Sequence, residues 1–279
     1  MLPTHIVVPR GERIVSDASS VIDDLGRESE ELDRLVAGLE ESRWALPTPA
    51  AGWTLAHQIA HLAWTDRAAL LAVTDTEGFG AEVEKALASP DTWVDEAAGE
   101  GAALPPARLL SEWREGRAAL DRALRTAPSG TRFPWYGPPM SAASMATGRL
   151  METWAHGQDV ADTLGVVRTP TDRLRHVVRI GVRARDFAFG VRGLSAPAQE
   201  FRVELVAPSG NDVWTYGPHD AAQRVTGPAL DFCLLVTQRA HRADLAVRAE
   251  GPDADRWLDI AQAFAGPPGA GREPKRAGR

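Results

Sequence analysis

Cysteine is almost missing from this sequence: Cys233 stands alone among 279 residues. One thiol can build neither a disulfide framework nor a multi-thiolate zinc site, so any metal must be held by His, Asp and Glu. Cys233 lies in the apolar run ALDFCLLV, where a buried, inert thiol is expected in preference to a nucleophile. No segment approaches the roughly 18 consecutive apolar residues that a membrane-spanning helix needs. The opening segment MLPTHIVVPRGERIVSD has no long apolar core behind a basic start, and does not read as a signal peptide. Positive charge is not in excess either. Thirty-one Lys and Arg against 38 Asp and Glu give a formal net charge of -7, which argues against a general attraction to nucleic acid or anionic membrane. Also missing are a GxSxG elbow, a glycine-rich phosphate loop and a Cys/His catalytic arrangement. These absences point to a cytoplasmic protein, without nucleic-acid or membrane partners, whose chemistry does not run through a protein nucleophile.

What remains is the composition of a globular protein, 44% hydrophobic and 25% charged, with length for one large domain or two ordinary ones. Helical spacing of Val21, Ile22, Leu25, Leu32, Leu35, Val36 and Leu39 predicts a helix over 19–44, with Ser19 or Ser20 at its start. Thr54 is the expected N-cap of a second helix over 54–74. The stretch 75–104 is less regular, with a short helix near 80–88. A longer helix follows Pro105-Pro106, carrying Leu109, Leu110, Trp113, Leu120 and Leu124. The loop APSGTRFPWYGPP is too rich in proline and glycine to continue it. Ser141 then caps a helix over 142–164 that Gly165 ends, and another runs over 171–189.

The pattern changes near residue 195. FRVELVAP and NDVWTYGP read as strands around a Ser209–Asp212 turn, with a third near Gln223–Thr226. ALDFCLLVTQRA reads as a helix, ADLAVRAEG as a strand and DADRWLDIAQAFA as a closing helix. The expected organisation is α+β: a helical bundle over 15–190, a small α+β domain over 198–266, and a tail over 267–279 with the composition of disorder.

Two of the predicted helices carry metal-capable side chains at matching spacing. TLAHQIAHLAWTD places His57 and His61 four residues apart; RLMETWAHGQDVAD places Glu152 and His156 four apart, with Asp159 about one turn beyond. If the helices face each other, three or four N/O donors converge inside the bundle, as metal sites in bundle cores do. Two imidazoles and one carboxylate leave coordination positions open, the pattern of a catalytic zinc. On spacing alone the same residues can be surface pairs. Asp159 reads either as an acceptor behind a ligand imidazole or as a charged surface residue. His5, His176, His219 and His241 have no comparable partners and read as structural or surface residues.

The segments GWTLAHQIAHLAWTD and SMATGRLMETWAHGQDVADTLG resemble the metal-binding domain of the mycothiol-dependent maleylpyruvate isomerases, within the wider DinB-like superfamily. The shared pattern is Trp53, then His61-Leu62, then Glu152, His156 and Asp159, over roughly residues 15–165. The resemblance implies an up-down-up-down four-helix bundle holding zinc (Zn2+) or another divalent metal through His61, Glu152 and His156, with His57 a neighbour only. GPALDFCLLVTQR resembles the C-terminal helix of that family, which makes Arg239 the candidate for catalysis or substrate binding; Gln238 stands where the family has glycine, and an Arg239 paired with an acidic neighbour is the other reading. PWYGPPMSAASMATGRLMETWAHGQDVADTLG resembles an actinobacterial metal-binding subgroup, so isomerisation of maleylpyruvate itself is not implied.

The function these features lead to is a metal-dependent thiol transferase or cis-trans isomerase. It would take a low-molecular-weight thiol such as mycothiol and a small electrophilic substrate. Arg239 and Asp159 are the candidate catalytic pair; Trp64 and Tyr136, with Trp135, are candidate pocket walls or core residues. Two alternatives stay open: a metal-dependent hydrolase, with Asp159 or Asp66 as base, and a non-catalytic metal- or ligand-binding protein. A monomer and a homodimer are both compatible.

Overall fold

A computed structural model describes residues 18–266, 268–269 and 271–275. The N-terminal segment read above for a signal peptide, and His5 within it, lie outside the described residues. Among the described residues no helix is long and apolar enough to cross a membrane.

The α+β architecture is as expected. Helices α1 (Ala18–Val36), α2 (Leu55–Thr74), α5 (Pro106–Thr126) and α6 (Ala142–Leu164) form the bundle, with α1 against α6, and α2 against both α5 and α6. Helix α6 matches its predicted bounds closely. The Ser141 hydroxyl accepts the Ser144 N–H at 3.2 Å, and Gly165 ends the helix in the left-handed region with φ 68°.

Other elements are shorter or more broken than the periodicity suggested. The helix expected over 19–44 stops at Val36; a short 3-10 helix, Glu41–Ala45, follows and seats Trp44 in the core. The segment 75–104 holds two helices, α3 (Thr76–Ala88) and α4 (Trp93–Ala102). Asp75 nucleates α3 by accepting the Gly78 N–H at 2.9 Å, a capping signal that the weak apolar periodicity hid. The proline-rich loop contains a two-residue ribbon, β1 (Arg132–Phe133) with β2 (Met140–Ser141). The helix expected over 171–189 breaks at Ala184 into α7 (Leu174–Arg183) and α8 (Arg185–Gly190).

The C-terminal part is a four-stranded sheet of order β4-β3-β5-β6, formed by β3 (Arg202–Val206), β4 (Val213–Tyr216), β5 (Arg224–Pro228) and β6 (Arg248–Glu250). β3 and β4 pair antiparallel around the predicted turn, whereas β3 and β5 pair parallel. Helices α9 (Ala229–Val236) and α10 (Pro252–Ile260) accompany the sheet, and both end earlier than predicted.

One apolar core joins the two parts. It runs from Val21, Ala146 and Trp154 in the bundle through Val177 and Val178 to Phe232, Val236 and Trp257. Burying these side chains is the main stabilising term, and it fixes the C-terminal part against α6 and α7. A second cluster, centred on Leu32, Leu55, Ile59, Leu62 and Trp113, closes the end of the bundle that carries the site.

Candidate metal centre

Helix α2 is apolar on most of its circumference, so His61 is carried into the bundle with only 8% of its surface exposed. Glu152 and His156 share one face of α6, and His156 is equally buried. Glu152 Oε2 stands 3.4 Å from His61 Nε2 and 3.3 Å from His156 Nε2. The ligand atoms of these three residues all lie within 4.8 Å of one another. Among the described residues this is the group of His, Cys, Asp and Glu side chains able to hold a metal.

The electrostatics favour ligand-competent forms. Burial works to raise the Glu152 carboxyl, but the His156 and His61 imidazoles and the Arg149 guanidinium more than reverse this, leaving it well below the usual carboxylate range. Burial, helped by neighbouring His61 and opposed by Glu152, pushes His156 down to about 4. At neutral pH the site therefore offers a carboxylate and a neutral imidazole, the forms a divalent metal binds.

The spacing fits a metal as well. Donors about 2.1 Å from a tetrahedral zinc are separated by about 3.4 Å, close to the observed contacts to Glu152. His61 Nδ1 is buried without a hydrogen-bond partner, which leaves Nε2 as the nitrogen facing the other donors.

The surroundings are built by two loops and a polar layer. Gly52 adopts φ 78° and turns the loop before α2 so that Trp53 lies against the trio, its ring 5.3 Å from that of His61 and 5.8 Å from that of His156. Trp53 Nε1 donates to Asp95 on α4 at 2.8 Å. Deeper in the bundle, buried Arg149 reaches Asp66 at 3.1 Å and the Thr65 hydroxyl at 2.8 Å. Asp66, considered above as a base, is thus committed to an internal ion pair, and burial raises its carboxyl despite Arg149.

The remaining sequence candidates separate. His57 turns to the start of its own helix, where its Nδ1 accepts the Thr54 backbone N–H at 3.3 Å and closes a capping box, with the Thr54 hydroxyl 2.8 Å away. Trp64 is buried with its ring 5.6 Å from that of His61, and connects through Trp93 to Tyr136, a half-buried residue against Phe79 and Trp135. Arg239, just beyond α9, donates to Asp159 on α6 at 2.8 Å, while its Nε is buried without a partner. Asp159 also accepts from Arg272 at 2.6 Å, so the described part of the tail has a defined contact where composition suggested disorder. Cys233 is buried, and burial raises its thiol well above the ordinary range, in keeping with an inert side chain.

Sequence reasoning missed Gln58, Thr48, Arg149 and Arg272. Only Gln58 left a signal: it precedes His61 by three residues, a buried amide among Leu55, Ile59 and Leu62.

Residues 25–161 match the mycothiol maleylpyruvate isomerase N-terminal domain. That stretch is a domain of this family. Residues 197–250 match a second family, described as wyosine base formation. Two curated relatives from strains of Mycobacterium tuberculosis, the uncharacterized proteins MT0041 and Rv0036c, are each 59% identical over 258 residues, covering 92% of this chain and all of theirs. Two crystal structures of mycothiol-dependent maleylpyruvate isomerase, one of them a mutant, superpose with TM-scores of 0.58 and 0.57. Each covers 85% of this chain and 95% of the other, at 17% and 18% identity, a likeness of fold.

Proposed function

We propose that this protein is a divalent-metal-dependent enzyme that uses a low-molecular-weight thiol, of the mycothiol type, to isomerise or S-conjugate a small electrophilic substrate. The observation that carries this reading is the convergence of His61, Glu152 and His156 on one point inside the bundle. These three side chains would hold zinc or another divalent ion, since N/O donor sets admit several metals. The metal, when bound, would supply an electrophilic centre that favours the thiolate form of the cosubstrate.

The protein's own groups do the rest. Trp53 lies against the two imidazoles and would form one wall of the metal-facing space. Arg239 is oriented by Asp159 and by the Thr237 carbonyl, and its guanidinium would be the group that meets a substrate carboxylate. Trp64 and Tyr136 form apolar walls on the side lined by Trp93. In the reaction the thiol sulfur adds to an electrophilic carbon, converting a substrate double bond to a single bond. The electron pair released from the double bond rests on the substrate's electron-withdrawing group; after rotation its return expels the thiolate and gives the isomer, whereas uptake at the adjacent carbon of the proton the thiol lost gives the conjugate.

The test begins with zinc quantified per chain in the purified wild type and in His61→Ala, followed by turnover of electrophilic carboxylic acids with and without added thiol. Stoichiometric metal lost in the variant, with thiol-dependent turnover, supports the proposal. Turnover that persists without thiol replaces it with hydrolysis, and a wild type that takes up no metal after reconstitution removes it.

A further inference from the structure

Gln58 is fully buried on α2, one turn before His61, and its two amide atoms face two different partners. Its Nε2 lies 2.9 Å from the Thr48 hydroxyl, and its Oε1 lies 2.5 Å from His156 Nδ1. The direction of this chain is set at its far end. The Thr48 hydroxyl donates to the backbone carbonyl of Trp53 at 3.0 Å, and a carbonyl can only accept. With its proton committed there, the Thr48 oxygen accepts from Gln58, which must present its NH2 group to Thr48. The amide oxygen is then left for His156 and can only accept, so Nδ1 carries the proton; the Nε2 lone pair then faces the Glu152 carboxylate 3.3 Å away, a contact that a cation between the two atoms turns from repulsive to attractive.

Resting on the metal-site reading above, we infer that Gln58 is a positioning residue: the Thr48–Gln58 relay fixes His156 in the Nδ1–H tautomer, so that its Nε2 is presented as a metal ligand. The same relay ties the liganding imidazole to the loop that carries Trp53, because Thr48 holds the Trp53 carbonyl through both its backbone N–H, at 2.8 Å, and its hydroxyl. Partners of this kind fix ring orientation and raise ligand basicity, and their loss typically costs about 10–100-fold in metal affinity.

Two measurements on the full-length protein test this. Long-range 15N–1H NMR of the metal-free protein reads the His156 tautomer directly. Competition with a chelating indicator reads zinc affinity for the wild type, Gln58→Leu, which removes donor and acceptor, and Gln58→Glu, which keeps the acceptor. The expected result is an Nδ1–H tautomer in the wild type that becomes mixed in Gln58→Leu, with zinc affinity about 10–100-fold lower in Gln58→Leu and close to wild type in Gln58→Glu. If Gln58→Leu does not fold, Thr48→Val carries the same test by removing the anchor of the relay. An Nε2–H tautomer in the wild type, or equal zinc affinity in wild type and Gln58→Leu, overturns the inference; so does equal weakening in Leu and Glu variants, which marks a packing role. A wild type with the Nδ1–H tautomer and no zinc binding removes the metal reading instead, together with the purpose assigned to Gln58.

Discussion

His61 Nε2 and Glu152 Oε2 stand 3.4 Å apart although 91 positions separate them in the chain. A carboxylate well below its ordinary range, against two inward-facing imidazoles, is an arrangement a divalent cation completes. Glu152→Gln keeps the shape and removes the charge. Zinc content per chain, measured by elemental analysis, should fall sharply in Glu152→Gln and to background in His61→Ala and His156→Ala, with far-ultraviolet circular dichroism unchanged. Retention of stoichiometric zinc by all three would place the metal elsewhere.

Arg239 is held by Asp159 rather than by His61, Glu152 or His156, so its loss should be felt by substrate and not by metal content. A charged hydrogen bond contributes about 1.5–3 kcal/mol, so Arg239→Ala should raise the KM for a carboxylate-bearing substrate by roughly 10–100-fold with zinc content unaltered. Arg239→Lys should recover little, because an ammonium cannot reproduce the planar guanidinium that reaches Asp159 and the Thr237 carbonyl at once. An unchanged KM in steady-state kinetics would assign Arg239 to structure alone.

Arg149 and Asp66 form an ion pair in the bundle, both almost fully buried. Removing one partner leaves the other charge unpaired, so Arg149→Met should lower the unfolding free energy by about 3–5 kcal/mol. Removing both, as Asp66→Leu with Arg149→Met, should recover most of that loss. Urea denaturation reads both, and a double variant weaker than the single one would show that the pair itself stabilises the fold.

Gly181 on α7 faces α9 so closely that a Cβ would lie 2.9 Å from both Phe232 and Val236 side-chain atoms. Gly181→Ala should therefore cost about 1–3 kcal/mol by overpacking. Gly116 on α5 has open space around the same position, and there alanine should gain up to about 1 kcal/mol from helix propensity. Thermal melts of the two variants should move in opposite directions.

His176 and Asp24, both buried, meet at 2.9 Å between α7 and α1. Burial lowers the His176 imidazole despite Asp24, so folding favours its neutral form. Burial would raise Asp24, but hydrogen bonds from His176 and Arg175 outweigh it and the carboxyl is lowered. Both groups bind protons less readily when folded. Their contribution to stability is present at neutral pH and lost on acidification, first as pH falls below the ordinary histidine value of 6.5 and later below the carboxylate value of 3.8. Urea midpoints across that range should decline, and His176→Gln should flatten the upper part of the decline.

Helix α6 and the Glu152–His156 pair were legible because each rests on local chemistry: a Ser cap, a glycine stop, and donors four residues apart on one helix face; that His61 and not His57 joins them was implied by the family resemblance. The exclusion of thiolate sites and the α+β order also followed from composition and periodicity. The breaks at Val36 and Ala184 did not, because apolar spacing continues past both. Nor did the second partners. Periodicity told which face of α2 is buried, but not that Gln58 would meet His156 98 positions away, that Arg149 would pair with Asp66, or that Arg239 and Arg272 would share Asp159. Spacing along a helix specifies which side chains share a face; which faces meet, and so which buried polar groups become partners, is set by the long-range packing of the whole core.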